Sequence, residues 1–215
     1  RPPRSTPLYS SAASDVYKRQ TFHRLQVTHS LWTDAPQVIE TGKSTNSSID
    51  IKSFSAVGRD GKRYATWGIG QSLVMLPSDI IAQNLIKPLR IQGQNSEKLI
   101  SGIVSYLTFP LISVLAVLAS FQFLKKIEFN TKQAIFGSLS LLFCTTFLSY
   151  SQTHQENSLD FLMTISAYLF HLLWLTSNST LFLCLGISAL GFNLLVRLPL
   201  IINSCLLYTS DAADE

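Results

Sequence analysis

Two acidic residues in the second half of the chain have the spacing to act together. Glu156 and Asp160 are four positions apart in the segment SQTHQENSLDFL. A helix that begins there would place both carboxylates on one face. The pair could orient a hydroxyl group, accept its proton, or bind a divalent cation. The alternative is that both are solvated acidic residues of a loop, because E-x-x-x-D is a weak motif.

Arg197 follows a run, Phe161 to Val196, that contains no Asp, Glu, Lys or Arg. If the apolar segment ends at Ile202, Arg197 lies about 7.5 Å inside it at 1.5 Å per residue. Ionisable groups at such depth are costly and often functional. A guanidinium can hold a phosphate group through paired hydrogen bonds. The alternatives are snorkelling to the membrane surface and pairing with one of the two carboxylates.

The elements that must position these residues are predicted to be membrane helices. The chain is 47% hydrophobic and only 14% charged, whereas soluble domains average about 25% charged residues. A membrane-spanning helix needs about 20 mostly apolar residues. We therefore expect an all-α membrane protein, a multi-pass helical bundle with about four spans: residues 99–124, 133–150, 159–175 and 181–202.

The orientation follows from the connector after the first span. Lys125, Lys126 and Lys132 outnumber Glu128 there, and basic short loops remain cytoplasmic. Residues 21–98 are then exoplasmic, and the connector that contains Glu156 lies on the same side. Arg197 is expected at the level of that connector.

The exoplasmic segment, residues 21–98, is predicted to contain short helices and a turn. Apolar residues recur at helical spacing from Phe22 to Trp32, and Gly58 to Gly61 is a turn signal followed by a short strand, Tyr64 to Trp67. The following stretch, Gly68 to Ile86, suits a helix interrupted by Pro77.

Both ends of the chain resemble translated sequencing-adapter DNA. The segments DVYKRQ (residues 15–20) and CLLYTS (residues 205–210) can be back-translated to reverse-complementary DNA, which independent protein termini have no reason to be. We therefore expect residues 1–20 and 205–215 to be adapter-derived and exclude them from reasoning about the fold. The alternative for the N-terminal end is a disordered tail.

Four stretches together invite a family comparison: RLQVTHSLW, GRDGKRYATWGIGQSLVMLP, the acidic connector YSQTHQENSLDFL, and GFNLLVRLPL. In this order they resemble the N-terminal half of bacterial multi-pass glycosyltransferases of the GT-C fold, related to protein O-mannosyltransferases and aminoarabinose transferases. The resemblance implies transfer of a sugar from a dolichyl- or undecaprenyl-phosphate donor to a glycan, lipid or protein acceptor. It also implies location in the bacterial inner membrane, with transfer at the exoplasmic face.

The resemblance assigns roles to the residues introduced above. Glu156, with Asp160 as its rival, matches the acidic residue of the second outer loop, and Arg197 matches an arginine that could face the donor phosphate. A further essential acid, expected in the first outer loop, would precede Thr21, so this fragment is expected to be inactive by itself. A divalent cation is a possible cofactor, the bilayer and the donor and acceptor are the expected partners, and no nucleic-acid partner is expected.

Two other functions remain open. In a transporter or flippase, Arg197 and the outer carboxylates would line a substrate route. A non-catalytic membrane assembly subunit would need none of these residues. The long polar segment before the first span suits an exoplasmic transferase better than a transporter.

Overall fold

The computed structural model describes residues 23–37, 55–65, 68–89, 94–151 and 155–202, which are mostly helical. The chain divides into two compact units, Arg1–Thr66 and Trp67–Glu215. The helices are α1 (residues 23–30), α2 (Gly70–Ile86), α3 (Gln94–Lys126), α4 (Thr131–Phe143), α5 (Phe147–Tyr150), α6 (Asn157–Ser177) and α7 (Thr180–Val196), and the strands are β1 (Ser55–Val57) and β2 (Arg63–Ala65).

The first unit contains α1 and a small antiparallel hairpin of β1 and β2, in which Ala56 lies opposite Tyr64. The predicted turn is confirmed: the Gly58 amide donates to the Lys62 carbonyl at 2.8 Å, and Gly61 has a φ of 76°. Glycine suits Gly61 because a positive φ strains other residues. The strand after the turn is β2, which begins one residue earlier than expected, and residues 38–54 and 66–67 lie outside the described ranges.

A side-chain hydrogen bond closes the hairpin. The Tyr64 hydroxyl donates to Asp60 Oδ2 at 2.8 Å, and the Lys62 amide donates to Asp60 Oδ1 at 3.2 Å. The bond from Tyr64 is the main reason that the pKa of the Asp60 carboxyl lies below its ordinary value, and the same bond raises the pKa of Tyr64. Because the folded pKa of Asp60 is lowered, the bond stabilises the hairpin above the unfolded pKa and is lost as the pH falls.

Replacing Tyr64 by Phe should move the titration midpoint of the Asp60 carboxyl upward, toward the ordinary value of 3.8. The measurement is carboxyl-carbon NMR of the chain in detergent micelles between pH 2 and pH 6. Tyr106→Phe, at an exposed tyrosine of α3, is the control and should leave the Asp60 midpoint unchanged. An equal midpoint in the wild type and in Tyr64→Phe would contradict this role of the hydroxyl.

The second unit is a helical assembly built around α3. Helix α3 packs against α2, α4 and α6, and α7 packs against α6 and α2. Helix α2, which the sequence placed with the exoplasmic segment, therefore belongs to the same unit as the apolar helices. A buried hydrogen bond from Thr108 Oγ1 to Ser78 Oγ, 2.8 Å long, joins α3 to α2. The predicted interruption at Pro77 is wrong, because helix α2 continues through this residue.

Of the helices in the described residues, two are long and apolar enough to cross a membrane: Asn95–Lys126 within α3, and α6. Helix α7 is apolar but shorter. The expected count of about four spans is therefore not reproduced by helix length. The first and third predicted spans lie within α3 and α6, and the fourth is divided, because α7 ends at Val196 and a 3₁₀ turn occupies Leu198–Leu200.

The second predicted span, residues 133–150, is not one continuous helix. It is divided into α4 and the single turn α5, with a break at Cys144 to Thr146. Thr145 Oγ1 donates to the Leu141 carbonyl at 2.5 Å and accepts the Phe147 amide at 3.1 Å. A threonine hydroxyl that bonds to backbone groups in this way competes with the helical pattern, and the apolar composition alone could not reveal this.

The start of α2 and the end of α7 approach at backbone distance. A Cβ added to Gly70 would lie 2.6 Å from Val196 Cγ2 and 2.8 Å from the Val196 amide nitrogen. A Cβ added to Gly68 would collide with the carbonyl oxygens of Leu195 and Val196. Both positions therefore require glycine because of this contact.

Replacing Gly70 by Ala should lower the free energy of unfolding by about 1–3 kcal/mol, since the added methyl group forces α2 away from Val196. The matched control is Gly191→Ala within α7, where an added Cβ meets no atom within 4 Å. That change should be neutral or stabilising by up to about 1 kcal/mol, because Ala is the better helix former. Both are measured by denaturant unfolding in micelles, and equal effects would refute the close approach.

Candidate functional site

A tight helical hairpin assembles the candidate site. Only Asn178 and Ser179 separate α6 from α7. Asn178 adopts the left-handed conformation, with a φ of 52°, and its amide donates to the Trp174 carbonyl at 2.8 Å. Asparagine tolerates this conformation better than most residues. The two helices therefore run antiparallel, and the first turn of α6 lies beside the last turn of α7.

The three residues singled out by the sequence lie at this end of the hairpin. Arg197 Nε is 3.6 Å from Glu156 Oε1. Asp160 lies one turn along α6 from Glu156, and its amide donates to the Glu156 carbonyl at 2.8 Å. Asp160 is buried, whereas the Glu156 side chain is 14% exposed and the Arg197 side chain 52% exposed. The site thus combines one buried and one partly exposed carboxylate with an accessible guanidinium.

Arg197 does not lie inside a continuous helix as the sequence suggested. Helix α7 ends at Val196, and Arg197 is extended, with φ −155° and ψ 114°. The reason lies two residues ahead: Pro199 has no amide hydrogen, and its ring would collide with the carbonyl four residues earlier if the helix continued. The Arg197 amide still donates to the Asn193 carbonyl at 2.9 Å. The backbone of Arg197 is therefore anchored while its side chain reaches solvent.

Asn193 belongs to the site and was not singled out by the sequence reasoning. Its side chain is 1% exposed, and Nδ2 donates to Thr164 Oγ1 at 3.0 Å and to the Asp160 carbonyl at 3.4 Å. These bonds tie α7 to the turn of α6 that contains Asp160. The available signal was a single carboxamide inside the apolar run GFNLLV, since polar side chains within apolar helices commonly bond across helices.

The described residues offer no complete set of protein ligands for a divalent cation. Across residues 23–37, 55–65, 68–89, 94–151 and 155–202, no group of three or more His, Cys, Asp or Glu side chains could hold a metal ion. The Arg197 guanidinium also occupies the cationic position beside Glu156, and a second positive charge there would be repelled. His154, in the same connector, lies outside the described residues.

Comparison of the chain with protein-family models, with curated proteins and with solved structures finds no match in any of the three. The family roles of Glu156, Asp160 and Arg197 therefore remain predictions. What the structure adds is that these residues lie at one end of one helical hairpin, held there by Asn178 and Asn193.

Replacing Asn193 by Leu should destabilise the α6–α7 hairpin by about 1–2 kcal/mol, because two interhelical hydrogen bonds are lost. A double-mutant cycle with Thr164→Val isolates the bond between the two side chains. A coupling energy of about 0.6–1 kcal/mol is expected from membrane helices, measured by unfolding in micelles. Strictly additive effects of the two substitutions would show that the Asn193–Thr164 bond contributes nothing.

Proposed function

We propose that this chain is part of an integral membrane glycosyltransferase that moves a sugar from a polyprenyl-phosphate donor to an acceptor hydroxyl at the exoplasmic face. The observation that carries the proposal is the placement of Glu156, Asp160 and Arg197 at one end of the α6–α7 hairpin. A guanidinium suits a phosphate, and a neighbouring carboxylate suits a hydroxyl group.

The outward face of α3 supports a bilayer environment. Tyr106 is 81% exposed, and Leu111, Val114 and Leu118 on the same helix are also exposed, whereas Val104, Phe109 and Ala116 are buried. A helix that is apolar on all sides is either a core helix or a membrane span. Because most of α3 is not covered by protein, the membrane span is the better explanation.

Helix α4 likewise exposes its large apolar side chains. Its buried positions are the small residues Ala134 and Ser138, while Ile135, Phe136 and Leu139 are exposed. Small residues between helices with large apolar residues outside are typical of membrane packing. In the proposal, α3, α4–α5, α6 and α7 form the bundle, although only α3 and α6 have the length of a full span.

In the proposal, the site lies at the exoplasmic surface of the bacterial cytoplasmic membrane. Lys125 and Lys126 end α3, and Lys132 lies in the first turn of α4, so this connector is assigned to the cytoplasm. Helix α6 then begins on the opposite side, with Glu156 at its N-cap position. Polyprenyl-phosphate donors carry their sugar at a membrane surface, which is the level assigned to Glu156 and Arg197.

The proposed transfer is a direct displacement at the anomeric carbon. The acceptor oxygen forms a bond to that carbon, and the bond from the carbon to the phosphate oxygen breaks with its electron pair remaining on the phosphate. The hydroxyl proton passes to the carboxylate of Glu156 or Asp160 and then to water. Arg197 stabilises the negative charge that develops on the departing polyprenyl phosphate.

Replacing Arg197 by Gln should weaken the binding of undecaprenyl phosphate to the full chain by about tenfold or more, since a charge-assisted contact is lost. Binding is measured by native mass spectrometry in nanodiscs, with phosphate-free undecaprenol as the reference ligand. Arg197→Lys should retain part of the affinity. The control is Arg59→Gln, at an exposed arginine of the hairpin turn; equal losses in both variants would refute a specific role for Arg197.

Transfer itself is assayed with the complete reading frame that encodes these residues. Loss of transfer in Glu156→Ala, Asp160→Ala and Arg197→Ala, with folding retained, is the expected result. Full activity in all three variants would eliminate the site. Movement of the lipid across vesicles without transfer would favour a transporter or flippase, and neither movement nor transfer would favour an assembly subunit.

A further inference from the structure

The ion pair between Glu156 and Arg197 is long, and its two side chains differ in exposure. Its 3.6 Å separation exceeds the roughly 2.7–2.9 Å of a strong charge-assisted hydrogen bond. The arginine side chain is 52% exposed and the glutamate side chain 14% exposed. An ion pair with one partner about half exposed is weaker than a fully buried pair. Arg197 is therefore the partner with room to move, and Glu156 is the one that stays in place.

The backbone around the pair also leaves the Arg197 side chain freer to move than that of Glu156. Arg197 is a single extended residue between α7 and the turn Leu198–Leu200, and its amide is held by the Asn193 carbonyl. Its long side chain can change rotamer without moving either element. Glu156 is continuous with the first turn of α6, where its carbonyl accepts the Asp160 amide.

We propose that the donor phosphate replaces Glu156 as the partner of Arg197, so that the guanidinium changes partner when the donor binds. This inference rests on the proposed function and concerns the order of events at its site. A phosphate offers a guanidinium a paired contact that the present geometry with Glu156 does not make. Without donor, the guanidinium lies beside Glu156; with donor bound, it pairs with the phosphate instead.

In this proposal Glu156 and the phosphate compete for Arg197. Removing the charge of Glu156 should therefore strengthen the binding of the phosphate. Replacing Glu156 by Gln keeps the shape and removes the competing charge. The full chain carrying Glu156→Gln should bind undecaprenyl phosphate about two- to fivefold more tightly, which corresponds to the strength of an exposed ion pair. Glu128→Gln, at the exposed connector between α3 and α4, removes the same charge elsewhere and should leave the affinity unchanged.

The double variant Glu156→Gln/Arg197→Gln tests whether Glu156 acts through Arg197. It should bind no better than Arg197→Gln alone, because the competitor matters only while the guanidinium is present. Inorganic phosphate and undecaprenol are measured in parallel: tighter binding of inorganic phosphate as well would place the exchange at the phosphate group, and tighter binding of undecaprenol would refute it. Unfolding in micelles verifies that each variant is folded.

The outcomes separate this inference from the function on which it rests. If Arg197→Gln and Glu156→Gln both weaken binding, Glu156 serves to position Arg197. The exchange is then refuted, while the phosphate site at Arg197 stands. No change in Glu156→Gln likewise overturns the exchange. If Arg197→Gln has no effect on binding, the proposed donor site itself is refuted.

Discussion

The left-handed turn at Asn178 is the constraint on which the candidate site depends. Because only two residues join α6 to α7, the helices must return antiparallel and side by side. Residues at similar sequence distances from the turn then face each other, as Thr164 and Asn193 do through a 3.0 Å hydrogen bond. The same geometry brings Arg197 to Glu156 although they are far apart in sequence. The hydrogen bonds from Asn193 to Thr164 and to the Asp160 carbonyl then hold the register of the two helices.

Backbone features at the other end of α7 determine how the hairpin joins the rest of the unit. Pro199 prevents the helix from continuing, so Arg197 leaves the helical path and its side chain turns toward solvent. Gly68 and Gly70 permit the start of α2 to lie against Leu195 and Val196. The proline and the two glycines therefore determine where the guanidinium of Arg197, just beyond the end of α7, can reach.

Much of the architecture could be predicted from the pattern of apolar residues. The charge-free runs predicted α3 and α6, whose apolar residues are sufficient in number for a membrane span, and the glycine pair around Asp60 predicted the hairpin turn. The break in the helix at Cys144 to Thr146 could not be read in this way, because a threonine hydroxyl can bond to backbone groups both within a helix and at its end. The membership of α2 in the helical unit was also missed, since its polar residues Gln71 and Asp79 are buried in the tertiary structure.

For the candidate site, the residue types and the order of the predicted spans sufficed to nominate Glu156, Asp160 and Arg197. They also predicted that these residues lie at the same depth relative to the membrane. These follow from charge, spacing and helix length, which are local properties of the chain. The pairing of Arg197 with Glu156 rather than Asp160, the exposure of the arginine, and the bridging role of Asn193 depended on the tertiary structure. They depend on how two helices rotate against each other and where one of them ends, and packing between segments distant in sequence decides both.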